Sequence, residues 1–256
     1  MNLVRRALVR RALGRGALGR GALVRRALGR GGSAWALRGS AAWRVLAVGG
    51  LLVLLLTLLG ALVLDDVLDG GGVAGLDRPT LGWVVEHRTP AWSTFFAAVT
   101  TLGDTAVVAT TTIVVVVGLL LARRWVSAGQ VALAQVGAGT LVAVGKAAVG
   151  RQRPPETTRL AVEGTLSFPS GHALGTIVLA LTLVSLVWRC SARRWVRLPA
   201  ASVAALLVLG VGVSRVYLGV HWVTDVLGGW LVGGTWATVC LVAAVLLRLR
   251  VRAPVS

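Results

Sequence analysis

Of the 27 lysine and arginine residues in this chain only one, Lys146, is a lysine, and it stands in the stretch GKAAVGRQRPPE with Arg151 and Arg153 close behind. An ammonium is a compact donor on a flexible stem, and a guanidinium is a planar fork matched to phosphate oxygens. Together they make an anion-binding set. Basic residues after an apolar run can also simply complement the C-terminal end of a helix dipole. A second cluster is FPSGHALG, residues 168–175. Proline, serine and glycine ahead of an apolar run mark a helix start, whose free N–H groups and positive dipole end receive anions. Ser170 adds a hydroxyl there and His172 a titratable imidazole; a capped helix with an interfacial histidine is the plainer account. The third cluster, SRVYLGVHWVTD at 214–225, carries Arg215, His221 and Asp225. Four apart on one helix, His221 and Asp225 would share a face. A carboxylate on one imidazole nitrogen fixes the tautomer and frees the other nitrogen to attack, whereas in a purely structural role the pair would only satisfy one another.

Apolar runs carry these clusters. Uncharged stretches cover residues 45–64, 105–122, 125–145, 173–188, 198–214 and 226–247. Most approach the roughly 20 residues that a helix needs to cross a bilayer. The chain is 56% hydrophobic and 14% charged, where a soluble domain carries about a quarter charged residues. The reading is an all-α polytopic membrane protein, a six-transmembrane-helix bundle over residues 45–250. A seventh apolar piece, 92–102, is too short to span and predicts an interfacial or re-entrant helix leading into the second span. Asp104 then reads as the cap of that span.

A net charge of +18 would suggest nucleic acid in a soluble protein. Its distribution excludes that reading here. With the N-terminus inside, six spans put 20 of the 27 basic residues on the inner side and all nine acids on the other. This is the positive-inside bias and predicts an N-in, C-in protein of the plasma or inner membrane. Residues 1–44 form an arginine-rich cytoplasmic tail with pentads such as RALGR and GALVR. Five residues advance about 140° on a helix, so no apolar face results and the tail reads as disordered or loosely held on anionic lipid. Residues 251–256 are a short cytoplasmic C-terminus, and the first span reads as an uncleaved anchor. Cys190, in a cytoplasmic loop, and Cys240, within the last span, stand at different depths, and no Cys/His cluster suggests a metal.

By loop charge, all three clusters emerge on the outer, extracytoplasmic face, and they hold two of the three histidines. No pair of carboxylates accompanies them to hold a divalent ion. The pattern is K-x6-RP from Lys146 to Pro154, PSGH at 169–172, and SR-x5-H-x3-D from Ser214 to Asp225. It resembles the type 2 phosphatidic acid phosphatase (PAP2) superfamily, whose three motifs occur in that order, over roughly residues 45–247. The resemblance implies a membrane lipid phosphatase without cofactor or metal. In it His221 would form a phosphohistidine, Asp225 would orient it, and His172 would protonate the leaving oxygen and later activate water. Lys146, Arg153, Arg215, Ser170 and the Gly171 N–H would hold the phosphoryl oxygens, as phosphoryl transfer rests on positioning and charge stabilisation. The implied partner is a lipid phosphate whose tail stays in the bilayer: undecaprenyl or another polyprenyl pyrophosphate first, phosphatidic acid or phosphatidylglycerol phosphate next. The rival readings are a lipid phosphotransferase and a non-catalytic anion or phospholipid transporter. Arg151, Arg159, Tyr217 and Trp222 suit either substrate contact or interfacial packing, and Glu86 and His87 have no partner legible in the sequence.

Overall fold

The computed structural model describes residues 42–251, so the expectations for residues 1–41 and 252–256 lie outside the described residues. Eight helices follow one another: α1 (Ala42–Asp69), α2 (Asp77–Glu86), α3 (Pro90–Thr101), α4 (Thr105–Leu121), α5 (Trp125–Val149), α6 (Gly171–Cys190), α7 (Arg194–Tyr217) and α8 (Val223–Val251). Six stretches are long and apolar enough to cross a bilayer: α1, the pair α3 and α4 as one run from Pro90 to Leu121, and α5, α6, α7 and α8. The six-span reading holds. Large apolar side chains such as Leu55, Leu58, Val114 and Leu206 point outward, each at least 48% exposed, as a lipid-facing surface requires.

The short apolar piece at 92–102 is α3, a helix of 12 residues. Pro90 opens it, and the Thr89 side chain accepts from the Trp92 N–H, as a capped helix start favours. A turn at residues 102–104 separates α3, which packs on α7, from α4, which packs on α5 and α6. Cys190 is the last residue of α6 rather than a loop residue, and both cysteines are free.

At the centre stands α6, touching α5, α7 and α8. The buried core joins Ala134 and Ala138 of α5, Leu174 and Val178 of α6, and Ala237 and Cys240 of α8. Lipid gives helices no hydrophobic drive to associate, so close packing over small residues does that work. Gly229 and Gly233 stand one turn apart on α8. A Cβ on Gly229 would lie 2.8 Å from the Ser170 carbonyl oxygen, and one on Gly233 would lie 3.0 Å from that of Leu174. The α8 backbone therefore rides directly on the first turns of α6, and the Ser170 N–H donates to the Asp225 carbonyl at 3.0 Å. The end of α5, the start of α6, the end of α7 and the start of α8 meet at one end of the bundle. The 150–170 connection folds over them, with the Leu160 N–H on the Leu218 carbonyl and the Ser167 N–H on the Arg151 carbonyl.

Gly229→Ala places a methyl group against a backbone carbonyl that cannot yield alone, so a loss of about 1–3 kcal/mol is expected from overpacking. A lower melting temperature in detergent checks it. Gly139→Ala, where an added Cβ meets nothing within 4 Å, is the matched control and should not fall.

Candidate active site

α7 ends at Tyr217 and α8 starts at Val223, so His221 sits in the link between them and not on a helix with Asp225. The pair meets by another device. Asp225, third residue of α8, turns back so that its Oδ2 accepts the Trp222 N–H at 2.9 Å, half of a capping box. That carboxylate also takes the Ser167 hydroxyl, and His221 Nδ1 lies 3.3 Å away. On the far side of the ring, Arg153 Nη1 stands 3.0 Å from Nε2. A guanidinium can only donate. Nε2 is therefore the lone-pair nitrogen and Nδ1 carries the proton toward Asp225. Both side chains are buried, His221 at 2% and Asp225 at 0% exposure. Burial pushes the His221 imidazole down to about 4 against the pull of Asp225, with Arg153 and Arg215 adding to the fall. The ring stays neutral, as a nitrogen nucleophile must.

Behind Asp225 lies a second carboxylate that the sequence did not flag. Arg151 donates Nη1 to Asp225 Oδ1 and Nη2 to Asp77 Oδ2, each at 2.7 Å. Asp77, 3% exposed on α2, also accepts from the Thr224 N–H and hydroxyl at 3.0 and 2.5 Å. Arg151 thus parts from Lys146 and Arg153, its neighbours in sequence, and braces the acid. Trp222 lies under the Arg151 guanidinium and donates Nε1 to the Gln152 carbonyl. Tyr217 packs on Phe96, and Arg159 holds the Pro154 carbonyl. Each of these four is held by contacts within the protein. His87 stacks on Trp83, and Glu86 lines a cavity of about 870 Å³ shared with Arg151, Arg153 and Trp222.

The remaining cations converge in front of His221. Lys146 donates to Thr165 Oγ1 at 2.6 Å, and Arg153 holds the same hydroxyl at 3.1 Å and the Thr165 carbonyl at 2.6 Å. Glu163 lies between Arg153, at 3.4 Å, and Arg215, which it touches closely. Burial alone would raise the Glu163 carboxyl, but Arg215 and then Arg153 outweigh it and hold the group below the usual carboxylate range. A carboxylate anion thus fills a two-arginine fork beside Nε2 of His221. Arg215 also donates to Thr100 Oγ1 at 3.1 Å and lies 3.4 Å from His172 Nε2. Ser170 caps α6 by accepting the Ala173 N–H, with Gly171 and His172 next in line.

Asp104 corrects the sequence reading. Its side chain makes no capping bond to α4; its Oδ1 lies 2.8 Å from His172 Nε2. The α3–α4 turn comes this close because residue 103 is glycine, where a Cβ would stand 3.2 Å from the His172 ring and 2.5 Å from Val211. A carboxylate at that distance requires a proton on Nε2, in the neutral ring or in the imidazolium, so His172 presents a proton where His221 presents a lone pair. The arrangement can therefore attack an electrophile with one ring, protonate with the other, and hold an oxyanion on three cations.

The PAP2 superfamily model matches residues 127–248. Phosphatidylglycerophosphatase B of Bacillus subtilis (strain 168) is 32% identical over 178 residues, 67% of this chain and 85% of its own length. The putative undecaprenyl-diphosphatase YbjG of Escherichia coli (strain K12) is 43% identical over 67 residues, 26% of this chain and 29% of its own. Among solved structures, the transmembrane PAP2-type phosphatidylglycerolphosphate phosphatase from Bacillus subtilis superposes with a TM-score of 0.65 at 26% identity, covering 77% of this chain and 96% of that one.

An ordinary imidazole binds a proton below about 6.5, and the unfolded chain does so while the folded chain waits until about 4. In that window the unfolded state holds more protons, so stability falls as pH falls. Melting of the detergent-solubilised protein should show this loss, and His221→Gln should flatten it.

Proposed function

The chain belongs to the PAP2 superfamily and is a membrane lipid phosphatase; we propose that it releases phosphate by way of a phosphohistidine on His221. The observation that carries this is the His221 ring, its Nε2 lone pair facing the arginine fork and its Nδ1–H on a buried carboxylate. The phosphoryl group takes the place of the Glu163 carboxylate between Arg153 and Arg215, with Lys146, Ser170 and the Gly171 N–H on its remaining oxygens. Arg153 moves its donor from Nε2 to a phosphoryl oxygen. The freed lone pair bonds to phosphorus in line with the departing oxygen, and the P–O bond breaks as His172, an imidazolium when the dianionic phosphoryl group is bound, turns its Nε2–H from Asp104 to that oxygen, gives up the proton and becomes neutral. Asp225 offsets the positive charge that grows on the His221 ring. Water then attacks the phosphohistidine, His172 takes the proton, and the N–P bond breaks to return His221 neutral. Fixed cations fill the role that a metal ion serves in other phosphoryl transfers.

The substrate is a lipid phosphomonoester or pyrophosphate. Polyprenyl pyrophosphate of the undecaprenyl kind comes first, with phosphatidylglycerol phosphate and phosphatidic acid next; the names of the two relatives support the first two. The pocket faces the extracytoplasmic side. Support comes from charge, since Arg123, Arg124, Arg189, Arg193, Arg194, Arg197, Arg248 and Arg250 gather at the opposite ends of the helices.

Brief incubation with a ³²P-labelled lipid phosphate, followed by an alkaline quench, should trap an acid-labile phosphoprotein in the wild type and none in His221→Asn, in EDTA as well as without it. Undiminished turnover by His221→Asn would end the proposal. Asp104→Asn should lower kcat about tenfold with little change in KM, a fraction of the ~10²–10⁴ that general acid–base catalysis supplies. The loss should shrink on an aryl phosphate whose leaving group needs no proton; an equal loss on both would mean that Asp104 serves only the fold.

A further inference from the structure

On the Nδ1 side of His221 two buried carboxylates face one guanidinium. Arg151 donates Nη1 to Asp225 Oδ1 and Nη2 to Asp77 Oδ2, each at 2.7 Å. Its Nη1 also reaches Thr224 Oγ1 at 2.7 Å, and that hydroxyl donates to Asp77 Oδ2 at 2.5 Å. The Thr224 N–H closes the set on Asp77 Oδ1 at 3.0 Å. Asp77, Thr224 and Asp225 are all buried.

Holding α2 against the start of α8 does not require a charge at position 77. An amide oxygen there could accept the Thr224 N–H, and a buried charge costs more to desolvate than a buried amide. What the carboxylate adds is charge. With it, two acids share one guanidinium and the set keeps a net negative charge. With a neutral group in its place, Arg151 would stand against Asp225 alone and offset it. That difference reaches the ring. Asp225 Oδ2 lies 3.3 Å from His221 Nδ1, and Arg153 Nη1 lies 3.0 Å from Nε2 on the opposite edge. A ring that bonds to phosphorus through Nε2 and keeps its Nδ1 proton becomes a cation. It then stands between an arginine in front and whatever net charge lies behind.

Given the phosphohistidine proposed above, we propose that Asp77 is a positioning residue for the reaction. Its carboxylate takes up one side of the Arg151 fork and so leaves Asp225 the negative charge that the His221 ring needs as it bonds to phosphorus. Asp77 touches neither the ring nor the phosphoryl group; it acts through Arg151 and Asp225.

The test is rapid-quench kinetics of the full protein in detergent with a ³²P-labelled lipid phosphate. It reads phosphoenzyme formation and, after a chase with unlabelled substrate, phosphoenzyme decay. Asp77→Asn should slow formation about tenfold with little change in KM, well short of the ~10⁴ that follows loss of the acid in direct contact with a catalytic histidine. Decay should be no slower than in the wild type, because a less favoured cation is not harder to hydrolyse. The double variant Asp77→Asn/Arg151→Gln removes one charge of each sign, restores the negative charge behind the ring and should recover most of the lost rate. A residue that merely held the fold would lose more in the double variant. Thr224→Val removes bonds to Asp77 and Arg151 but no charge, and should cost less than Asp77→Asn. Formation at the wild-type rate in Asp77→Asn, a decay slowed as much as formation, no recovery in the double variant, or an equal loss in Thr224→Val overturns the role. Should Asp77→Asn alone melt below the assay temperature, the double variant is set against the wild type, and a tenfold loss there overturns it. A wild type that yields no phosphoenzyme overturns the phosphohistidine first and this role with it, so the two failures are distinct.

Discussion

A single carboxylate, that of Asp225, is removed completely from solvent and must be met by donors. Leaving a buried charge without its partner costs about 3–5 kcal/mol, and no one element of this fold could supply every donor. Ser167 comes from the 150–170 connection, the Trp222 N–H from the α7–α8 link, Arg151 from beyond the end of α5, and His221 from the link again. Satisfying one residue therefore fixes both ends of the 150–170 connection, together with the α7–α8 link, against the start of α8. Asp77 extends the demand to α2, because Arg151 spans the two acids. The His221 ring is held by the same arrangement, so its tautomer follows from how Asp225 is buried.

In front of that ring the balance of charge reverses. Lys146, Arg153 and Arg215 face one acid, Glu163, in the cradle. A single carboxylate leaves that group net positive, and a phosphoryl group with two negative charges matches it better. Glu163 keeps the two arginines apart from one another without meeting the whole of their charge. In the proposed reaction the fork therefore holds its shape in the free protein and exchanges its own carboxylate for a dianion. An interior with full internal pairing would make no such exchange, and one with no acid at all would push Arg153 and Arg215 apart.

The six spans and the meeting of the three clusters were legible because each depends on local pattern: run length for the helices, residue type and spacing for the motifs. What was not legible depends on side-chain direction. Arg151 and Arg153 are two apart in an irregular segment, and nothing in the order of residues says that one braces Asp225 while the other faces His221. Asp77 reaches Thr224 across 147 positions, which no spacing rule anticipates. Asp104 reads as a cap because acids favour helix starts, but a nearby imidazole competes for the same oxygen, and Gly103 brings that ring within reach. His221 and Asp225 do pair at a separation of four, though through a reach back across the α8 start rather than along a helix face.

The two ends of the bundle obey opposite rules under one constraint. In lipid, close helix packing leaves little room for polar side chains except near helix ends, so donors and charges gather there. At the end holding His221, the chain supplies its own acids and thereby sets the tautomers, the fork and the orientation of each cation. At the other end Arg189 and Arg248 converge on the neutral amide oxygen of Gln130. A donor set that carries its own acid can be shaped before a ligand arrives and can release that ligand when the acid returns. An amide oxygen orients guanidiniums without cancelling their charge. The first arrangement suits turnover, and the second joins the ends of α5, α6 and α8. The placement of nine carboxylates along an otherwise basic chain separates the two.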